Sequence, residues 1–359
     1  MRFGTVAGIA LAAMLSGCAQ LGYYAQAVHG QLAVQAEARP IAEVLADPAS
    51  GEKLKARLAR VQQIRAFAVD ELSLPDNGSY KSYADLKRPF VLWNVVATPE
   101  LSLVPKHWCF PIAGCVDYRG YYDKRDAVAF AEQLRGEGYD VRVGGVPAYS
   151  TLGWFDDPIL STFIGYADAD LAGIVFHELA HQKVYAAGDT QFNESFATTV
   201  EQTGVERWLA EHGDQQQRVA YQLQQQRQHD FLGLLLRFRA RLEENYARDV
   251  SDDDKRAQKA AIFGDLQQAY QQMKAGWGGY SGYDRWFAEP LSNAHLASVA
   301  SYHDFVPAFS TLLQQEGSFP KFYQAVQELA ALGKGERHRR LSLLAPAAGL
   351  PENAKQVDR

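Results

Sequence analysis

Leu171-Ala172-Gly173-Ile174-Val175-Phe176-His177-Glu178-Leu179-Ala180-His181, closed after a short turn by Asn193-Glu194, organises the rest of the chain. The run before His177 is apolar enough for a buried helix. Positions four apart on a helix share a face, so His177 and His181 aim two imidazoles at one point. Glu178 lies about 100° round the helix from His177 and can take the proton of a water held there. The alternative is an ordinary helix carrying two of the chain's nine histidines by chance. Against it stand the residues after His181. Gly188 is a helix stop, Asp189 or Thr190 a cap, and Asn193-Glu194-Ser195-Phe196-Ala197 opens a second helix.

A carboxylate in the first turn of that helix supplies a third ligand. Two histidines, one glutamate and an open position make the catalytic zinc pattern, with one Zn2+ per chain held by His177, His181 and Glu194. Cobalt or manganese would also fit this donor set. Glu201, seven residues after Glu194, shares its face and reads as a supporting carboxylate rather than a ligand. The chemistry expected is hydrolysis of a peptide bond. The metal acidifies water and polarises the carbonyl, and Glu178 moves the proton to the leaving amine. The oxyanion needs a further donor, expected from the C-terminal part: Tyr280, Tyr283, His295, Tyr302 or His303, with Tyr302 preferred. Asn293 is a candidate for the substrate backbone, and Glu201 or Glu289 for a free N-terminal ammonium.

At the N-terminus, Arg2 precedes an apolar run from Val6 to Leu15. The run is too short to span a bilayer and reads as a signal peptide. Leu15-Ser16-Gly17-Cys18 looks like a bacterial lipobox, making Cys18 the lipid-bearing first residue of the mature chain. Ala19 after it favours the outer membrane, facing the periplasm. Removing residues 1–17 takes away one positive charge, Arg2, so the formal charge goes from −6 to −7. That mild acidity argues against nucleic acid as a partner. A hydrophobic fraction of 47% with 12% aromatics belongs to a well-packed globular chain. Cys109 and Cys115, with five residues between them, suit a short-loop disulfide in an oxidising compartment.

Between the ends the chain changes character. Residues 23–72 read as two or three helices, broken near Pro40 and Asp47-Pro48. Phe90–Val96 is a strand signal, residues 108–122 are strands around a bend, 126–136 a helix and 140–143 a further strand. Residues 144–155, with Gly144, Gly145 and Pro147, suit only an edge strand or a loop. An edge strand there would hold an extended substrate by backbone pairing, with Tyr149, Ser150, Thr151 and Gly153 against it. After Glu194 the chain is nearly all helical, with breaks near residue 230 and from 247 to 253, an aromatic glycine loop at 276–283, further helices near 293–302 and 320–332, and a loose tail from Gly335.

Several unusual strings then match in order: Tyr23-Tyr24 with Gln26 and Gly30, Trp108–Pro111, Ala113–Cys115, Tyr118–Tyr121, Ala148–Phe155, Asp157-Pro158, and Phe176–Gln182 through Asn193-Glu194. Together they resemble a bacterial family of predicted aminopeptidase lipoproteins. The resemblance runs from near Cys18 to Tyr302 and implies a zinc peptidase with His177, Glu178 and His181 in the roles above. Its aminopeptidase specificity is implied by the resemblance alone. The strings around Arg119 and 149–154 suggest a substrate wall peculiar to this group. Thermolysin-like enzymes place an aspartate four residues after the ligand glutamate; here that position is Thr198, a weaker hydrogen-bond acceptor for a ligand histidine.

The expected fold is α+β and mostly helical, a zincin-like metallopeptidase whose small mixed or antiparallel sheet sets an edge strand beside the zinc helix. N-terminal helices and sheet occupy 18–168, the zinc-helix pair and helical part 169–334, and the tail 335–359. The expected activity is that of a lipid-anchored zinc aminopeptidase. An endopeptidase of the same chemistry, or an envelope protein whose zinc only staples two helices, are the rivals.

Overall fold

The computed structural model describes residues 22–110, 114–297 and 305–344. The signal-peptide run, Cys18, Tyr302 and His303 lie outside them. The architecture is α+β and mostly helical, with small sheets.

Helix α1 (22–36) leads through β1 (Ala38–Pro40) to α2 (Ile41–Ala46), α3 (Glu52–Asp70) and β2 (Ser82–Ala84). The strand signal at 90–96 becomes β3 (Leu92–Pro99). The aromatic stretch becomes β4 (Trp108–Phe110), β5 (Gly114–Val116) and β6 (Arg119–Tyr121), followed by α4 (Lys124–Gly136), β7 (Tyr139–Val146) and β8 (Ile159–Leu160). The metal-motif helix is α5 (Asp168–Lys183) and its partner α6 (Thr190–His212). Then come α7 (Gln215–Ala247), α8 (Asp252–Gly276), α9 (Asp284–Phe287), α10 (Asn293–Ala297), α11 (Val306–Glu316), α12 (Phe319–Ala330) and α13 (Lys334–Leu344).

Among the described residues the sheets are three and small: a mixed β1-β2-β8, an antiparallel β6-β3-β7 and the β4-β5 hairpin. Cys109 and Cys115 face each other across that hairpin and are disulfide-bonded. Strand alternation gives β6-β3-β7 two different faces. Trp93, Val95, Ala97 and Val141 pack on Ala127, Ala131 and Leu134 of α4. The opposite face carries Leu92, Asn94 and Val96 of β3, in register with Val146, Gly144 and Arg142 of β7, and with Gly120 of β6 beside Asn94.

The α5–α6 hairpin sits in the main core, which draws on α3, α6, α11 and α12 alike, so residue 168 is no break in packing. Leu171, Val175, Phe176 and Leu179 of α5 and Phe192, Phe196 and Val200 of α6 have no exposed surface. Each such side chain contributes about 1.5–3 kcal/mol by leaving water. Close approach is needed at Gly204, where a Cβ would come within 2.7 Å of Leu72 and 2.8 Å of Phe176. Asp168 and Asp170 sit in the first turn of α5, where carboxylates offset the positive helix end. Arg57 and Arg60 of α3 pair with Asp168. Among the described residues no helix is long and apolar enough to cross a membrane.

Three expectations are corrected. The break near residue 230 does not exist: α7 is continuous, its glutamines on solvated faces and its aromatic side packed on α8. Helix α11 lies where no helix was expected. The tail is not loose to residue 344. Arg337 of α13 is buried and donates to Asp189 at 2.6 Å, a partner too distant in sequence for a local reading to find.

Candidate metal centre

The helical spacing of α5 and the first turn of α6 bring three ligand groups to one point. The Nε2 atoms of His177 and His181 are 3.1 Å apart. Glu194 places one carboxylate oxygen 3.3 Å from His177 Nε2 and the other 3.7 Å from His181 Nε2. The ligand atoms of this trio all lie within 4.8 Å of one another, a set that could hold a metal ion. Two imidazole nitrogens and a carboxylate oxygen converging at this range suit a borderline divalent cation.

Local devices hold His177 and the turn that leads to Glu194, whereas the Nδ1 of His181 is buried without a partner among the described residues. Glu201, two turns on from Glu194, accepts from His177 Nδ1 at 2.9 Å. That bond puts the proton on Nδ1 and leaves the Nε2 lone pair facing the centre. Room for Glu201 comes from Gly173 on the opposite helix, where a Cβ would lie 3.3 Å from the Glu201 carboxylate. Thr198 is buried on α6, but the carboxylate that reaches a ligand histidine is that of Glu201, not a group at position 198. Asn193 closes the interhelix turn from inside. Its Oδ1 accepts from Ala186 N–H at 2.8 Å and its Nδ2 donates to Ala186 C=O at 2.9 Å. Asp189 caps α6 by accepting from Phe192 N–H, and Arg337 and His338 of α13 hold its carboxylate.

Electrostatics follow from this burial. Burial pulls the His177 imidazole down, but hydrogen bonds and charge from Glu194 and Glu201 outweigh it and raise its pKa well above the ordinary value. Burial drives His181 down to about 4, against the pull of Glu194. Glu178 is pushed up to about 7 by burial and by the charges of Glu194, Asp157 and Glu201, with His177 opposing. A carboxylate lifted that far can accept and return a proton near neutral pH.

The trio opens on a cleft of about 440 Å³ whose walls include Tyr118, Tyr149, Ser150, Leu92 and Asn94. Strand β7 pairs only with β3 and is therefore an edge of its sheet. Its last residue, Val146, lines the cleft, and the chain continues along the wall as Ala148, Tyr149 and Ser150. The strand ends at Val146, before Pro147, and the wall segment turns away where Leu152 and Gly153 both take positive φ, 56° and 81°. Thr151 and Gly153 are not on the wall: Thr151 N–H donates to Asp157 at 2.9 Å instead. The Tyr149 hydroxyl is engaged by Tyr122 at 2.9 Å and donates to Gln31.

The remaining candidates fall elsewhere. Asn293 is fully buried and saturated. Its amide donates to the carbonyls of Glu100 and Ser102 and its oxygen accepts from Tyr246, so it pins a loop rather than facing the cleft. Tyr283 packs in the α7–α8 core, with Tyr280 against it at a ring distance of 6.3 Å. Glu289 is exposed and His295 buried, both on a second groove away from the metal ligands.

Residues 22–341 match the family described as "Putative aminopeptidase". The chain belongs to this family. No curated protein and no solved structure matches it. Membership in a family so described indicates a peptidase. Four family strings now have physical content: Tyr118 and Tyr149 wall the cleft, Asn193 fastens the turn before Glu194, and Gln182 donates to Asp157 and Ser79.

Sequence reasoning put Tyr149 at the substrate but sought the oxyanion donor among residues of the C-terminal part. Among the described residues the tyrosines lining the cleft are Tyr23, Tyr118, Tyr122, Tyr149 and Tyr185, from the N-terminal half and the end of the metal helix. It also missed Tyr80, a non-glycine residue at φ 62° whose buried hydroxyl has no partner among the described residues. Burial and then the charge of Glu178 raise its pKa. Clustering of aromatic strings was the only signal for any of them.

Proposed function

We propose that the chain is a zinc-dependent, zincin-like aminopeptidase. The observation that carries the reading is the convergence of His177 Nε2, His181 Nε2 and the Glu194 carboxylate beside Glu178, at the floor of a cleft with a sheet edge on its wall. His177, His181 and Glu194 would hold the ion, and Glu201 orients the first of them. When bound, zinc supplies a Lewis acid for the scissile carbonyl and an acidified water. Glu178, beside the three ligands, would serve as the general base that accepts a proton from the attacking water and returns it to the leaving nitrogen. The wall from Val146 to Ser150 offers an extended peptide a backbone to lie against, which binds peptides with little demand on their side chains. Family membership supports cleavage at free N-termini. The lipobox-like Leu15–Cys18 supports a lipid anchor on Cys18 and a place in the cell envelope, on the outer membrane facing the periplasm.

The test is metal content and hydrolysis on one preparation of residues 19–359, wild type and Glu178→Gln, with paired free and N-acetylated peptides. The expected result is one zinc per chain in both. Activity is confined to wild type and to free N-termini, with a loss of about 10²–10⁴-fold or more in Glu178→Gln. Equal cleavage of blocked peptides would move the protein to the endopeptidases. Full activity in Glu178→Gln would sink the catalytic reading.

A further inference from the structure

The cleft does not stop at the metal ligands. Asn94, Tyr118, Val146 and Thr190 line both it and a second groove of about 1200 Å³. That groove runs along the β7 edge of β6-β3-β7, lined by Lys124, Glu132 and Arg135 of α4 and by Asn94, Gly144 and Arg142 of the face away from α4. Along this face Gly144 of β7 is followed by Arg142, two residues or about 7 Å further on. Gly144 leaves the path open: a Cβ there would already touch the Arg142 guanidinium at 3.5 Å.

Arg142 is half-buried and makes no hydrogen bond or ion pair among the described residues. Facing the same groove is His295, 3% exposed. Its Nδ1 accepts from Ser292 N–H at 3.2 Å, so the neutral ring carries its proton on Nε2. Nε2 is buried and has no partner among the described residues. Burial and the nearby Arg142 charge keep the ring neutral down to about 3. An orphaned, buried N–H is destabilising, so a groove holding one beside an unpaired guanidinium is arranged for an acceptor. The acids of the groove do not fill that role. Asp140 is paired with Lys259 at 2.7 Å, Glu132 with Arg135 at 2.6 Å and Asp117 with His107 at 2.6 Å. Glu289, exposed at the rim beside Arg285 and Lys124 of the same groove, is the acid whose charge reaches Arg142, but the two form no ion pair.

We propose that Arg142 and His295 form a carboxylate-binding subsite at the far end of the substrate cleft. The protein then selects short peptides whose own carboxylate, terminal or from an acidic side chain, reaches this pair while the scissile bond lies over the metal ligands. The proposal rests on the peptidase reading for the placement of the bond, but the subsite is testable without turnover. Zinc-loaded Glu178→Gln protein is titrated calorimetrically with tri-, tetra- and penta-alanine, with their C-terminal amides, and with amides carrying one aspartate. The expected result is that at one length the free acid binds about tenfold or more tighter than its amide. That preference collapses toward unity in Glu178→Gln/Arg142→Gln and is retained in part by Arg142→Lys, with unchanged thermal midpoints as the folding control. Recovery of affinity by an internal aspartate identifies a side-chain carboxylate as the source; dependence on length and amidation alone identifies the C-terminus. Equal binding of acid and amide at every length, or a preference that survives Arg142→Gln, overturns the subsite even if wild type cleaves peptides. An acid preference without cleavage of any peptide by wild type upholds the subsite and overturns the peptidase reading.

Discussion

Two helical hairpins dominate the chain, and they are built on opposite terms. In α5–α6 nearly every face is buried, and His181, Asn193, Thr198 and the ligand side chains are set into an apolar surround. In α7–α8, which is longer, one aromatic seam is buried around Phe231, Tyr270 and Phe287, while Val219 and Leu223 lie exposed among glutamines. The difference shows what a hairpin needs in order to present charge inward. A partly solvated pair such as α7–α8 would screen a carboxylate, leaving it with an ordinary pKa. A hairpin set into the core, open only at the cleft, holds Glu178 where burial and neighbouring carboxylates shift it to about 7.

Truncation on the two hairpins is the harshest way to break that comparison. Phe196, two residues after Glu194, is fully buried against Phe309, Phe322 and Tyr323. Phe196→Ala should cost about 3–5 kcal/mol in urea unfolding and weaken metal retention with it. Leu223→Ala on α7, where the side chain is 50% exposed, should stay within about 0.5 kcal/mol of wild type. If the two variants cost the same, the outer face of α7 is not a free surface and the contrast fails.

A sharper instrument acts within α5–α6 alone. Glu201→Gln keeps the shape of the side chain but removes the charge behind His177 Nδ1. Metal affinity, measured by competition with a chelator, should fall about 10- to 100-fold, with little change in unfolding midpoint for the metal-free protein. Thr198→Val, at the position where a thermolysin-like pattern would look, should change affinity far less. The reverse ranking would return the supporting role to position 198.

The same contrast governs how much of the molecule was legible in its sequence. The α5–α6 hairpin announced itself because its chemistry is local: His177 and His181 one turn apart and Asp189 as cap, although α5 stops at Lys183, short of the expected Gly188. The strands β3 and β7 and helix α4 were legible for the same reason, from periodicity. What sequence could not show is everything that depends on a distant partner. Arg337 looks like tail charge until Asp189 is beside it, and Asn293 looks like a substrate contact until the carbonyls of Glu100 and Ser102 surround it. The single residue Glu201 was placed correctly as a support on its helix face, but its target could only be seen once Gly173 let it cross.

The smallest expected effect tests two buried groups that pull in opposite directions. Burial lowers His295 from 6.5 to about 3. The unfolded chain therefore binds its proton first, and stability present above about pH 6.5 is lost as pH falls toward 3, at up to about 1.4 kcal/mol per unit. Burial raises Asp157 from 3.8 to about 6. Here the folded chain binds the proton first, so stability is full below about pH 3.8 and is lost as pH rises toward 6. Between about pH 4 and 6 the two slopes oppose each other, and their joint contribution to the unfolding free energy of the metal-free protein should be nearly flat. Asp157→Asn leaves an acceptor for Thr151 N–H and removes one of the two slopes. It should uncover a loss of stability on acidification that wild type hides. His295→Gln should uncover the opposite sign, stability declining as pH rises from 4 to 6. A pair of variants with parallel pH profiles would mean that at least one of these groups titrates as an exposed one does, and that its surroundings are wetter than the packing of this chain implies.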